Sequence, residues 1–166
     1  MIHQTDPRFS SVVNHNGCYE WSLFSIAEEA TGGDFDEVKL QALHNGGMAA
    51  KVVGYLVKGQ FFPGEHPETY DGCYVQDAVA LLALAGVRAQ ILMGPLPAGM
   101  WPMDTPLSTG TFIIQKWHNN ISGFSHFVRG NMDGSVKWDP IQYPDGSGSL
   151  TVKNGNPVSL RLVRVL

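Results

Sequence analysis

Cysteine is scarce in this sequence. Cys18 and Cys73 are its 2 cysteines in 166 residues. Neither belongs to a Cys-x-x-Cys pair, which excludes a zinc ribbon or a thioredoxin-like redox motif. In a reducing compartment both are expected to stay as thiols. Charge is thin as well, at 16% of residues, and the 11 basic side chains are scattered rather than clustered. With a net charge of -4, the chain has no electrostatic footprint for nucleic acid or an anionic membrane. No apolar run approaches the roughly 20 residues of a membrane span. Met1-Ile2-His3-Gln4-Thr5-Asp6-Pro7 has neither the basic start nor the apolar stretch of a signal peptide, so a cytoplasmic protein is expected. His3, His15, His44, His66, His118 and His126 show no His-x-x-x-His spacing, and no metal or cofactor is expected.

What is present is a globular composition. Hydrophobic residues make up 43% of the chain, and its length suits one domain over residues 1–166 with a real core. Residues 1–13 read as an extended lead-in, and Asn14-His15-Asn16-Gly17 as turn chemistry. From Cys18 to Ala30 the pattern is helical, with Leu23, Ile26, Ala27 and Ala30 on one face, and Thr31-Gly32-Gly33 stops it. Asp34 opens a second helix with Glu37 as capping partner, ended by Gly46-Gly47. Residues 48–62 fit a helix or a strand, and a third helix is expected over 74–85. Strands follow at 87–93, 111–117, 124–129, 135–138, 150–152 and 158–166, with a Pro-rich loop at 94–110. Helices first and antiparallel strands later make the class α+β.

Three residues carry the chemistry. Cys18 sits at a predicted helix start, where the dipole and free N–H groups favour a thiolate. Its own N–H is placed to help bind an oxyanion. A cysteine is also often just a small buried hydrophobe, so Cys18 alone decides nothing. His126 and Asp139 flank a hairpin with its turn at Asn131 to Gly134. A symmetric hairpin centred between residues 132 and 133 sets His126 opposite Asp139, where a carboxylate can hold an imidazole in the tautomer of a general base. A bulge in the turn shifts that register. Cys73 is the rival nucleophile; it also follows Asp-Gly and precedes a predicted helix, and reads as core. His15 is a further site-lining candidate, and the other histidines read as surface residues. Trp21, Met100 and Trp101 are candidates for a substrate rim, the last two in the Pro-rich loop with Met103.

Asn16-Gly17-Cys18 opening a helix, then Ser125-His126-Phe127-Val128, then Trp138-Asp139-Pro140, resembles the papain-like cysteine peptidase superfamily. The pattern is similar to the bacteriocin-leader (double-glycine) peptidases of ABC exporters, and to small uncharacterised papain-like proteins of phages and spirochaetes. It spans about residues 14–140, and the segment from Leu81 to Ala89 fits the family's helix, glycine turn and strand. The resemblance implies N-terminal helices, the nucleophile helix among them, packed on a C-terminal antiparallel sheet. It implies a Cys18–His126–Asp139 triad, an acyl-enzyme, and a peptide or protein substrate cut at a peptide, isopeptide or other amide bond. For a phage-encoded member the compartment would be the host cytoplasm. The family usually has a glutamine six residues before the cysteine as oxyanion donor, whereas position 12 here is Val12; Asn14 and Asn16 are the substitute candidates. An acyl transferase or deamidase would use the same triad. A non-catalytic binder of a host factor would keep the fold without the activity.

Overall fold

The structure is a computed structural model that describes residues 1–66, 72–97 and 107–166. Met100, Trp101 and Met103 lie outside the described residues.

Helix α1 (Ser11–Asn16) is capped by Ser10, whose hydroxyl accepts from the Val13 N–H at 3.2 Å. It stands where a lead-in and a turn are expected. Tertiary burial of Val12 and Val13 outweighs the weak local signal. Gly17 joins it to α2 (Cys18–Thr31), which ends at Gly32 in the left-handed region. Helix α3 (Glu37–Ala49) starts from Asp36 rather than Asp34; the Asp36 carboxylate accepts from the Lys39 N–H at 2.9 Å. It runs on through Gly46-Gly47, continuing a buried face of Leu40, Leu43, His44 and Gly47.

Strands β1 (Val53–Val57), β2 (Gln60–Pro63) and β3 (Tyr74–Val75) form an antiparallel sheet in the order β2-β1-β3. Because Tyr74 and Val75 pair with Gly54 and Val53, helix α4 (Ala78–Leu84) begins later than expected, capped by Asp77. The second sheet contains β4 (Ala89–Pro97), β5 (Thr111–Asn119), β6 (Ser125–Gly130), β7 (Val136–Trp138) and β8 (Gly155–Val165). Its order is β4-β8-β5-β6-β7, antiparallel throughout, so the last strand lies between two earlier ones. Residues expected as a strand at 150–152 form α5 (Leu150–Lys153) instead, with the Ser149 hydroxyl accepting from the Thr151 N–H at 3.0 Å. The chain is α+β, with helices and antiparallel sheets.

The core lies between α2 and the five-stranded sheet. Helix α2 buries Leu23, Phe24, Ile26 and Ala27 against Leu40, Leu81, Ile114 and Val163, among others. The Tyr19 ring packs on Phe127 at 4.8 Å between centroids, and Arg129 of β6 donates to Ser25 at 2.8 Å and to Glu29 at 3.0 Å on α2. Trp21 belongs to this core. It is 0% exposed and packs on Phe9 and Phe24, so it does not form a substrate rim. A large indole on the inner face of a central helix gains more from burial than from exposure. No helix among the described residues is long and apolar enough to cross a membrane.

Candidate active site

Cys18 is the first residue of α2 and is half-buried. Gly17 lets α1 approach closely from behind: a Cβ there would lie 2.8 Å from the Val13 carbonyl oxygen and 3.3 Å from the Trp21 ring. The turn is therefore tight, and the thiol faces the start of β6. There the His126 ring and the backbone N–H groups of Phe127 and Tyr19 act on it. Burial pushes the thiol pKa up, but the His126 bond and charge, with those two N–H groups, bring it below the ordinary thiol value.

His126 is buried at 3% exposure. Its Nε2 lies 2.7 Å from Asp139 Oδ1, which leaves Nδ1 for the thiol. Burial lowers its pKa, but the Asp139 hydrogen bond and the Cys18 sulfur outweigh that and raise it to about 9. Asp139 also receives the Ile141 N–H at 2.8 Å and the Ser149 N–H at 3.0 Å. Burial pushes its carboxyl up, but the His126 hydrogen bond and charge, and then these two N–H groups, hold it below the usual range. The pairing does not arise by direct opposition in a symmetric hairpin. Arg129 pairs with Trp138 and Gly130 with Val136, with a register shift between them, and the ladder ends before Asp139. His126 instead pairs with Trp117 on its other side, and Asp139 swings back to reach it as the chain leaves β7.

The two asparagines hold the backbone together. Asn14 Nδ2 donates both its N–H groups, to the Gln4 and Asp6 carbonyls, and Asn16 Nδ2 donates to the Val12 carbonyl at 3.2 Å. Val12, at the position of the expected glutamine, is core. His15 is exposed, with Nδ1 2.7 Å from the Ser11 carbonyl.

Cys73 does not begin a helix; it precedes β3, is 4% exposed and belongs to the core. Burial raises its pKa far above the ordinary value, and the charges of Glu20 and Glu65 raise it further. His44, expected at the surface, is fully buried between those carboxylates. Burial lowers its pKa, and Glu20 and then Glu65 outweigh this, raising it to about 10. No sequence signal marked this group, because Glu20 and His44 are 24 residues apart and His44 and Glu65 are 21 apart, on different segments. Sequence reading also missed the Phe127 N–H, since main-chain donors leave no trace in residue identity.

No family model, curated protein or solved structure matches the chain. The resemblance to papain-like proteins therefore rests on its motifs.

Proposed function

We propose that this protein is a papain-like cysteine hydrolase of peptide, isopeptide or related amide bonds, with Cys18 as nucleophile, His126 as acid and base, and Asp139 as the group that orients it. One observation carries the reading. The Cys18 thiol, at a helix start, comes under the influence of the His126 ring, whose Nε2 lies 2.7 Å from Asp139 Oδ1, although the cysteine is more than 100 positions from both in the chain. The Cys18 thiolate attacks the carbonyl carbon, and the C=O electron pair moves to oxygen. The Cys18 N–H, at the first position of α2, is the candidate donor to that oxyanion. Collapse breaks the C–N bond as His126 gives its proton to the leaving nitrogen, and a thioester remains. Water then attacks with His126 as base, releasing a carboxylic acid and the thiol. An amine in place of water would give acyl transfer by the same steps.

A second reading, a non-catalytic binding protein on the same scaffold, is favoured by the buried Val12 and the Asn14 amide already engaged on backbone. Removing one oxyanion donor costs about 2.7–4 kcal/mol of transition-state stabilisation. A thiol-directed covalent probe at pH 6, read by mass spectrometry, separates the two. Rapid labelling of Cys18 supports the hydrolase. An unlabelled Cys18 in folded protein, with no turnover of a peptide library, leaves the binding protein.

A further inference from the structure

Away from Cys18, on the inner side of α2, the fold buries a second set of reactive side chains. Glu20 and His44 are 0% exposed and Cys73 is 4% exposed. A Glu20 carboxylate oxygen, a His44 ring nitrogen and the Cys73 sulfur all lie within 4.8 Å of one another. His44 Nδ1 is 3.0 Å from each Glu20 oxygen, and His44 Nε2 is 2.8 Å from Glu65 Oε1. Glu65 in turn accepts from the Ser10 hydroxyl at 2.7 Å. Cys73 is held at φ 51, in the left-handed region that non-glycine residues seldom occupy. Such strain persists only where the surroundings impose it, and it gathers at functional positions.

Burying a carboxylate, an imidazole and a thiol together, with a second carboxylate reaching in from the surface, is a poor way to build a core. Well-packed apolar residues of equal volume often stabilise as much or more. The donor types point to a purpose. One sulfur, one imidazole nitrogen and one carboxylate oxygen form a mixed set suited to zinc-like ions and poorly suited to magnesium or calcium. Zinc bonds of about 2.0–2.3 Å put neighbouring ligand atoms roughly 3.3–3.7 Å apart, a modest adjustment from the spacing here. A metal-bound imidazole ordinarily gives its other N–H to a carboxylate, which fixes tautomer and ring orientation. Glu65 stands in that place.

We propose that Glu20, Nδ1 of His44 and Cys73 bind one zinc-class divalent ion, with Glu65 as the outer carboxylate that orients His44. The second Glu20 oxygen or a water completes the coordination. Binding displaces the Nδ1 proton and the thiol proton. Two positive charges enter as two protons leave, so the net buried charge is unchanged. The ion would tie α2, α3, the segment at Glu65 and the start of β3 together, directly behind the helix turn that carries Cys18.

The test uses the full chain, stripped of metal and titrated with zinc, and separately with cobalt(II) as the spectroscopic probe. Expected are one zinc per chain by elemental analysis after buffer exchange, and a thiolate-to-cobalt charge-transfer band that zinc abolishes. Both should persist in Cys18→Ala, which separates this site from the catalytic reading. Both should vanish in Cys73→Ser, which keeps the side-chain volume. Glu65→Gln, at a partly exposed position, should keep the stoichiometry and weaken zinc by roughly 10–100-fold. Folded wild-type protein that retains no zinc and shows no cobalt–thiolate band overturns the proposal, whatever the variants do. A band that survives Cys73→Ser but disappears in Cys18→Ala also overturns it.

Discussion

Gly17-Cys18-Tyr19 and Gly72-Cys73-Tyr74 are the same tripeptide used twice. Both glycines sit tight against α1: a Cβ at Gly17 would lie 2.8 Å from the Val13 oxygen, and one at Gly72 would lie 2.6 Å from Val12 Cγ1. Each cysteine has a histidine and a carboxylate within reach. Their thiols nevertheless move in opposite directions, Cys18 down and Cys73 far up. Burial raises both. At Cys18 the other groups are donors: the His126 ring and the Phe127 and Tyr19 N–H groups. At Cys73 the neighbouring charges are the carboxylates of Glu20 and Glu65. What surrounds a thiol, rather than the residues beside it in sequence, decides whether it is a nucleophile.

The largest expected effect tests that contrast directly. Cys18→Ala should remove all alkylation at pH 6 and all amide hydrolysis, whereas Cys73→Ala should leave both in place. Mass spectrometry of the modified peptides reads the first and a peptide-release assay the second. The reverse pattern in two folded variants would exchange the roles of the two cysteines.

Next comes His126→Ala, expected to reduce hydrolysis by about 10²–10⁴-fold, the usual contribution of a general acid and base. The pH dependence gives a sharper reading. The depressed Cys18 pKa makes the thiolate lose its stabilisation only as pH falls through a value below the ordinary thiol range. The raised His126 pKa keeps the imidazolium until pH climbs to about 9. Between those limits the ion pair persists, so alkylation should be flat across neutral pH. In His126→Ala the rate should instead rise with pH, with a midpoint at or above that of an ordinary thiol, because burial then opposes charge with less compensation. A wild-type profile that already climbs like free cysteine contradicts an activated pair.

Glu20→Ala attacks the other cluster. It leaves His44 buried with Glu65 as its remaining carboxylate, and breaking a buried pair in this way costs about 3–5 kcal/mol. Urea unfolding should show that loss. The same measurement on Cys18→Ala should show much less, since that substitution leaves no buried charge without its partner. The smallest catalytic effect is expected from Asp139→Asn. It acts only through His126, so its alkylation rate at pH 6 should lie between those of wild type and His126→Ala. A rate below that of His126→Ala would give Asp139 a role of its own.

The order of elements was legible in the chain because amphipathic spacing and caps are local. Cys18 to Ala30 reads as a helix from Leu23, Ile26 and Ala27, and the structure ends it one residue later. Boundaries shifted where tertiary contacts overrode local preference. Pairing with β1 took Tyr74 and Val75 from the third helix, and burial of Val12 and Val13 made a helix of the lead-in. Cys18, His126 and Asp139 stood out because a helix start and a hairpin are short-range features. His126 and Asp139 do not face each other in a symmetric register, and the chain leaving β7 brings the carboxylate back to the imidazole.

Residue identity and local spacing thus determined which thiol begins a helix and which histidine and aspartate flank a hairpin. Only the tertiary structure decided that Trp21 is core, that the Phe127 N–H acts on the sulfur, and that Glu20, His44 and Cys73 share one buried site with Glu65 at its edge. The reason is physical. Local patterns act over a few bonds, whereas desolvation and Coulomb interactions depend on which atoms the fold brings within several ångströms, and those atoms come from segments with no common period.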